Sequence, residues 1–455
     1  MNNALNIQYE IEIPAGYKTT EVGVIPEDWK ISEIGTLISD MRGGAPFKPS
    51  DFTKEGIMVL PKGAVVRGGV LKLSESDQQF CTPEFAAKFS KNSVTEVFTI
   101  VVLRDLVPSG PSIGLMVNIP EPAFYILAQG VYGFITSKGL IANYLIHYSN
   151  TFNYRRAVNE FMVGSTQVHI TNDAFKSLKI PLPIIAEQIA IARVLSDTDA
   201  LIASLEQLIA KKKAIKTATI QQLLTGRSRL AQFAKKPNET LKGYKTSELG
   251  MIPEDWEAKP FGELFESSLH RRTMREEEIV SFVGMQGVSE NAQLIKQSLL
   301  SFSEVKGGFT YFEKGDVLVA KITPCFENGK GCHTESLMTD VGFGSTEFHV
   351  LRAKNSSHSK FIYYWTTNNN LRKVLESEMV GSAGHRRVPL SAIKNYLIPC
   401  PQTKVEQSAI AAILSDIDAE LATLQQKLAK VRDIKQGMMQ QLLTGRIRLP
   451  LDHQP

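Results

Sequence analysis

Residues 187–230 read EQIAIARVLSDTDALIASLEQLIAKKKAIKTATIQQLLTGRSRL, and residues 406–449 read EQSAIAAILSDIDAELATLQQKLAKVRDIKQGMMQQLLTGRIRL. They align without a gap, with 26 identities in 44 positions at an offset of 219. Both are helical by period. In the second stretch Leu414, Leu421, Leu428 and Leu442 share one heptad position, with Lys435 as the polar intruder. Ile417, Leu424, Val431 and Met438 share the partner position. An apolar seam sustained for four heptads indicates a coiled coil. The first stretch keeps Leu195, Ile202, Leu205, Ile209 and Leu223 on the seam but also places Thr198, Lys212 and Thr219 there. It adds a displaced stripe at Leu201, Leu208 and Ile215. Both stop at Thr-Gly (Thr225-Gly226, Thr444-Gly445), a natural C-terminal cap. Thr403 and Glu406 stand in capping-box spacing at the start of the second.

Charge along these helices is polarised. Asp197, Asp199, Asp416, Asp418 and Glu420 lie in the N-terminal halves. Lys211, Lys212, Lys213, Lys216, Lys427, Lys430, Arg432 and Lys435 lie in the C-terminal halves. Each macrodipole is thereby compensated. The same pattern suits antiparallel pairing, with one helix's acidic half beside the other's basic half; solvated faces are the plainer reading. At ~1.5 Å per residue, ~38 helical residues span ~57 Å, the length of a spacer.

Working outward, a second repeat precedes each helix. Residues 16–30 read GYKTTEVGVIPEDWK and residues 243–257 read GYKTSELGMIPEDWE, identical at eleven of fifteen positions with an offset of 227. The order is opening motif, variable region and helix, twice over. Between these shared parts, residues 31–163 and 258–380 show no defensible alignment: the frame is duplicated and its contents have diverged. Short apolar or alternating runs such as Val97–Leu103, Gly114–Ile119, Gly315–Ile322 and Phe348–Leu351 read as strands. Leu140–Asn159 and Ser359–Ser377 read as helical. The expected fold is α+β: two mixed α/β domains separated by two long helices forming an antiparallel coiled coil, with an internal pseudo-two-fold repeat. The expected divisions are a tail 1–15, domain 1 at 16–185, a central helix 186–230, a linker 231–242, domain 2 at 243–402, a C-terminal helix 403–449 and a tail 450–455.

At roughly 100–200 residues per domain, 455 residues make two to four domains. Lys+Arg 51 against Asp+Glu 47 gives +4, which excludes a histone-like polycation and an acidic disordered chain. Nucleic-acid binding stays open, because phosphate contacts depend on local clusters. Met1–Pro14 lacks a basic region followed by an apolar one, so no signal peptide is expected. Runs such as Val97–Leu103 fall far short of the ~20 residues that span a bilayer. Cys81, Cys325, Cys332 and Cys400 are too few for a disulfide framework. A soluble, cytoplasmic protein with no membrane partner is expected.

Catalytic patterns are missing. Gly329-Lys330-Gly331 lacks the glycine of a Walker loop five residues earlier, and neither an Asn-Pro-Pro aromatic tetrad nor a G-x-S-x-G elbow occurs. Cys325 and Cys332-His333 have no matching pair for zinc, and no metal site is expected. Glu-x-Lys triplets such as Glu304–Lys306 arise by chance in so charged a chain. The polar loops say more. Each variable region ends in a Gly-Ser loop: GSTQVHITNDAFKSLKIPLP (164–183) and GSAGHRRVPLSAIKNYLIPCP (381–401). The first offers Ser165, Thr166, Gln167 and His169, and the second Ser382, His385, Arg386 and Arg387. Arg pairs with guanine and Gln with adenine through bidentate geometry. Arg271 and Arg272, beside His270 and Arg275, and Lys321 at the end of an expected strand join them as candidate DNA contacts. For any one of these, a solvated surface loop is the plain alternative.

With these motifs in place, the chain resembles the specificity (S, or HsdS) subunit of type I restriction-modification enzymes. The resemblance rests on the Gly-x-Ile-Pro-x-x-Trp motifs (Gly23–Trp29 and Gly250–Trp256) and the Ile-Pro-x-Pro run before each helix. The Glu-Gln starts (Glu187-Gln188, Glu406-Gln407) and the Gln-Gln-Leu-Leu-Thr-Gly-Arg ends also match. Lys314-Gly315-Asp316-Val317-Leu318 is similar to the Gly-Asp strand of such target-recognition domains; domain 1 differs there, with Lys91-Asn92-Ser93-Val94. The resemblance covers nearly the whole chain in order.

It implies two target-recognition domains, each reading half of an asymmetric bipartite site on double-stranded DNA, with the helices setting the gap. It also implies two methyltransferase (M) subunits and two restriction/translocase (R) subunits as partners. S-adenosylmethionine, ATP and Mg would serve those partners, with no cofactor on this chain and no catalysis by it. Two rivals remain. A fused restriction enzyme would need a catalytic domain for which the repeat leaves no room, and a coiled-coil scaffold would lack DNA readout.

Overall fold

The computed structural model describes residues 13–107, 109–382 and 384–451. Most of the tail expected at 1–15, and residues 452–455 of the tail expected at 450–455, lie outside them. The chain forms two compact units, Met1–Glu206 with Lys427–Pro455, and Gln207–Gln426. Each long helix, Ile185–Leu224 and Lys404–Leu442, therefore contributes one half to each unit.

In the first unit the start of the central helix runs antiparallel to the end of the C-terminal helix. Asp199 pairs with Lys435, and Glu206 with Arg432 at 2.5 Å. In the second unit Lys212 pairs with Glu420 at 2.8 Å and Lys216 with Asp418 at 2.6 Å. The polarised charges thus face their opposites across each helix pair. Leu195, Leu205, Ile209, Leu223, Leu414 and Leu421 are buried, and Ile202, Ile417, Leu424, Leu428 and Val431 half-buried. Leu201, Leu208 and Ile215 are exposed. Gly226 and Gly445 both take φ +70, as a left-handed cap requires.

Within each unit the variable region builds a four-stranded sheet of the same plan despite its unalignable sequence. In the first, a sheet runs Gln79–Cys81, Ile57–Leu60, Tyr125–Leu127, Ser93–Val94, its middle pair parallel with Val59 opposite Ile126. In the second the order is Ser298–Ser301, Ile279–Val283, Val341–Gly344, Thr310–Glu313, again with a parallel middle pair, Phe282 opposite Phe343. A second sheet has Thr99–Val102 as an inner strand of four in one unit and Val317–Ala320 as the middle strand of three in the other. The expected strands at Gly114–Ile119 and Gly315–Ile322 shorten to Met116–Asn118 and Val317–Ala320.

The two expected helices each prove to be two. Ala142–Ser149 and Phe152–Glu160 are separated where Thr151 Oγ1 accepts from Tyr154 N at 3.3 Å. Ser359–Thr366 and Asn369–Ser377 are separated where Asn368 Oδ1 accepts from Asn370 N at 2.9 Å and Leu371 N at 3.2 Å. A side chain that satisfies the free amides of a new first turn starts a helix afresh.

The repeated motifs meet each other. In the second unit Trp256 Nε1 donates to Glu406 Oε1 at 3.3 Å, and Arg229 forks onto both Glu406 (2.8 and 2.9 Å) and Asp255 (2.5 and 2.8 Å). In the first, Trp29 Nε1 donates to Glu187 Oε2 at 3.1 Å, and Arg448 bridges Glu187 and Asp28. Each opening motif is therefore locked to the start of the helix that follows its own domain and to the end of the other long helix. Glu406 thus departs from the expected capping box. Its amide bonds Thr403 Oγ1 at 3.3 Å, but its carboxylate turns to Trp256 and Arg229. The neighbouring glutamines brace the helix pairs, Gln188 Oε1 accepting from Ile141 N at 2.9 Å and Gln407 Oε1 from His358 N at 3.0 Å. Trp29, Tyr144, Phe175 and Leu195 share one core with Leu442; Trp256, Phe261, Phe361 and Leu414 share the other with Leu224.

Candidate nucleic-acid interface

The two Gly-Ser loops are the tips of equivalent hairpins. In the first unit Val163 bridges His169, and His169 in turn lies opposite Arg104. In the second, Val380 bridges Arg387, which also bridges Ile322. Gly164 (φ +110) and Gly381 (φ +124) open the turns, and a Cβ on either would strike the backbone oxygen of Gln167 (2.1 Å) or His385 (2.8 Å). Any other residue would be strained in this conformation and collide there, which explains why both loops begin alike.

Ser165, Thr166 and Gln167 are exposed at the first tip, with His169 half-buried at its base. Ser382 and His385 are exposed at the second tip. Arg387 forks onto Glu347, with Nη2 2.7 Å from Oε1 and Nε 3.0 Å from Oε2. The Arg387 hydrogen bond outweighs burial and, with the charge of Lys321, holds the Glu347 carboxyl below its usual range. Arg386 lies 3.6 Å from Glu327, whose other oxygen is buried without a partner. Lys321 closes the group, its N–H donating to Glu347 O (2.9 Å) and its carbonyl accepting from Val388 N (2.8 Å). Arg386 and Arg387 thus stand together on carboxylate supports, and Lys321 joins them through its backbone. The Nε–Nη2 edge of Arg387 is occupied by Glu347 and Nη1 donates to His385 O at 3.3 Å, so the guanidinium is fixed with its remaining N–H groups exposed at the tip.

Arg271 and Arg272 sit elsewhere in the unit. The Arg271 guanidinium is 5.9 Å from the Tyr311 ring centroid, and Arg272 N donates to Tyr311 Oη at 3.2 Å. Among the described residues no hydrogen bond or ion pair joins their side chains to Lys321, Arg386 or Arg387. The Gly315-Asp316 motif works inward: Asp316 is 2% exposed and held by Arg352 at 2.8 and 2.9 Å. In the first unit the turn Glu96-Val97 leads into the matching strand, and Arg42 lies 4.5 Å from the Phe98 ring centroid.

Among the described residues no group of three or more His, Cys, Asp or Glu is placed to hold a metal, and no helix is long and apolar enough to cross a membrane. Burial pushes the Cys332 thiol up to about 12, and the four cysteines are unpaired. His333 bonds Ser359 Oγ at 2.9 Å.

The type I restriction modification DNA specificity domain matches residues 26–214 and 253–433. The chain belongs to that family. The EcoEI specificity subunit of Escherichia coli is 34% identical over 42% of this chain and 32% of its own length. The EcoAI subunit is 31% identical over 42% and 33%. The match therefore spans about a third of the length of these two relatives. The putative MjaX specificity subunit of Methanocaldococcus jannaschii is 24% identical over 95% of this chain and 97% of its own. In fold, the crystal structure of the S subunit from M. genitalium matches with a TM-score of 0.57 at 15% identity, covering 91% of this chain and 96% of that one. That the relatives are named specificity subunits agrees with the expectation of a recognition subunit without catalysis of its own.

Proposed function

We propose that this chain is the DNA-specificity subunit of a type I restriction-modification complex, acting in the cytoplasm. Each unit reads one half of an asymmetric, bipartite site on double-stranded DNA through its Gly-Ser hairpin. The observation that carries this reading is the paired architecture: one strand plan and one hairpin, each built twice, with different side chains at equivalent tips. Two different half-sites need such an arrangement, and a scaffold without readout does not.

The long helices set the unspecified gap. The exposed faces of the long helices suit docking of two methyltransferase subunits, and two restriction/translocase subunits join these. S-adenosylmethionine, ATP and Mg serve the partners. Exchanging residues 31–180 for the equivalent region of another such subunit should change one half of the methylated site and leave the other intact. Methylation mapping across the host genome is the test, and a change in both halves would sink the modular reading.

At single residues, Arg387→Ala should cost about 1–3 kcal/mol at one base pair, as should Arg386→Ala if it too reads a base. Glu347→Gln should weaken the same position, because the fork loses its support. Binding measured over a set of single-base variants and salt concentrations separates the outcomes. A uniform loss with a shallower salt slope would mark phosphate contacts instead.

A further inference from the structure

Equivalent positions in the two hairpins carry different chemistry, and the difference leaves a guanidinium unaccounted for. His169 stands in the first unit where Arg387 stands in the second, each bridged on one side to a valine, Val163 or Val380. On the other side Arg387 meets Ile322, whereas His169 meets Arg104 in register. Arg104 is exposed, and among the described residues its side chain makes no hydrogen bond or ion pair.

Its backbone, by contrast, is held tightly. Leu103 and Asp105 on either side are 1% and 6% exposed. Leu103 N donates to Gly130 O at 3.0 Å, and Leu103 O accepts from Ile170 N at 2.9 Å. The Asp105 carboxylate accepts from the amides of Leu106 (2.7 Å), Val107 (3.2 Å) and Ser112 (3.1 Å). A fixed Cα presents five unspent donors in a planar fork from a set place in the unit, so that ordering of the side chain alone is left to be met when it finds a matching acceptor pair.

Resting on the DNA-recognition reading above, we propose that Arg104 is the specificity-determining arginine of the first unit. It takes a guanine edge from the strand beside the hairpin, where the second unit presents Arg387 from the hairpin itself. His169 and Gln167 flank it along the same hairpin. The two half-sites are then distinguished by which strand carries the fork as well as by the tip residues.

The test uses the full-length chain in its natural host, with R104A and R104K introduced separately and methylated sites mapped across the genome. R104A should relax discrimination at one base pair of one half-site by roughly 5- to 150-fold and leave the other half unchanged. R104K, which keeps the charge but lacks the fork, should relax the same base pair. An unchanged motif in R104A overturns the assignment. So does a uniform loss of methylation that R104K repairs without changing the motif, because that marks a phosphate contact. A wild-type strain that marks no two-part motif would sink the underlying reading rather than the choice of residue.

Discussion

Arg229→Ala is expected to destabilise the second unit by about 3–5 kcal/mol, a large part of the ~5–15 kcal/mol that holds a typical domain together. The Arg229 and Glu406 side chains are 7% and 6% exposed, so the pair is screened little by solvent. Without the guanidinium, buried Glu406 keeps the Trp256 indole N–H at 3.3 Å as its remaining side-chain partner, and Asp255 keeps Lys242 at 2.8 Å. The penalty is that of an uncompensated buried charge rather than the net worth of the pair. Replacing both partners with apolar residues, Arg229→Met with Glu406→Met, should therefore recover part of the loss, the remainder being the cost of a buried Trp256 N–H left without its acceptor and of Asp255 without its fork. Hydrogen exchange of the full chain, resolved by peptide around residues 226–229, 250–257 and 404–410, is the measurement. A change below about 1 kcal/mol there would mean that the fork is ornamental. The matching Arg448→Ala in the first unit should cost less, because Arg448 is 41% exposed although Glu187 is buried.

The same cluster sets a pH limit. Burial raises the Asp255 carboxyl, but hydrogen bonds from Arg229 and Lys242 outweigh it and hold the group at about 2. A pKa depressed in the folded state contributes stability that is fully present above the ordinary carboxylate value. That contribution is lost as the pH falls from about 4 to about 2. In Arg229→Ala this acid-sensitive window should narrow.

What could be read from the amino-acid order follows from the range of the interactions. The long helices were legible because a seam such as Leu414–Leu421–Leu428 is a local pattern repeated many times. The opening motif and the Thr-Gly-Arg helix ends were equally visible as repeats. Their meeting was not, since Arg448 and Asp28 lie 420 positions apart and a single ion pair leaves no periodic trace. The broken helix pairs were signalled by Thr151 and Asn368, both good N-caps, but the apolar period running through each break masked them. The shared strand plan escaped alignment because strands of two to six residues accept almost any β-branched or aromatic residue: Val59 and Ile126 in one unit do the work of Phe282 and Phe343 in the other. At the hairpins, the Gly-Ser openings were legible because the turn demands glycine. The support of Arg387 by Glu347, forty residues away, was not. Arg104 was hidden by its place immediately after the apolar run Val97–Leu103, where it looked like the end of a strand.

Lengthening both long helices by four residues, after Ala210 and after Ala429, should widen the unspecified gap of the methylated site by one or two base pairs while both half-sequences persist. Two domains on one side of B-DNA favour half-site centres about one helical turn, ~34–36 Å, apart. If the helices set that separation, ~1.5 Å per residue adds ~6 Å, and at ~3.4 Å per base pair this is nearly two base pairs. Four residues are also close to one turn of ~3.6, so Leu205 and Ile209 before the first insertion and Leu223 after it stay near one face, apart from the local unwinding that a stutter brings. An insertion of two residues should behave differently. It rotates the following segment by about 200° at ~3.6 residues per turn, takes Leu205 and Ile209 out of phase with Leu223, and should abolish methylation rather than shift the gap. The contrast separates a change of length from a change of phase. Genome-wide methylation mapping of both variants reads the outcome directly. A four-residue variant that methylates with an unchanged gap would show that the helices do not set the spacing.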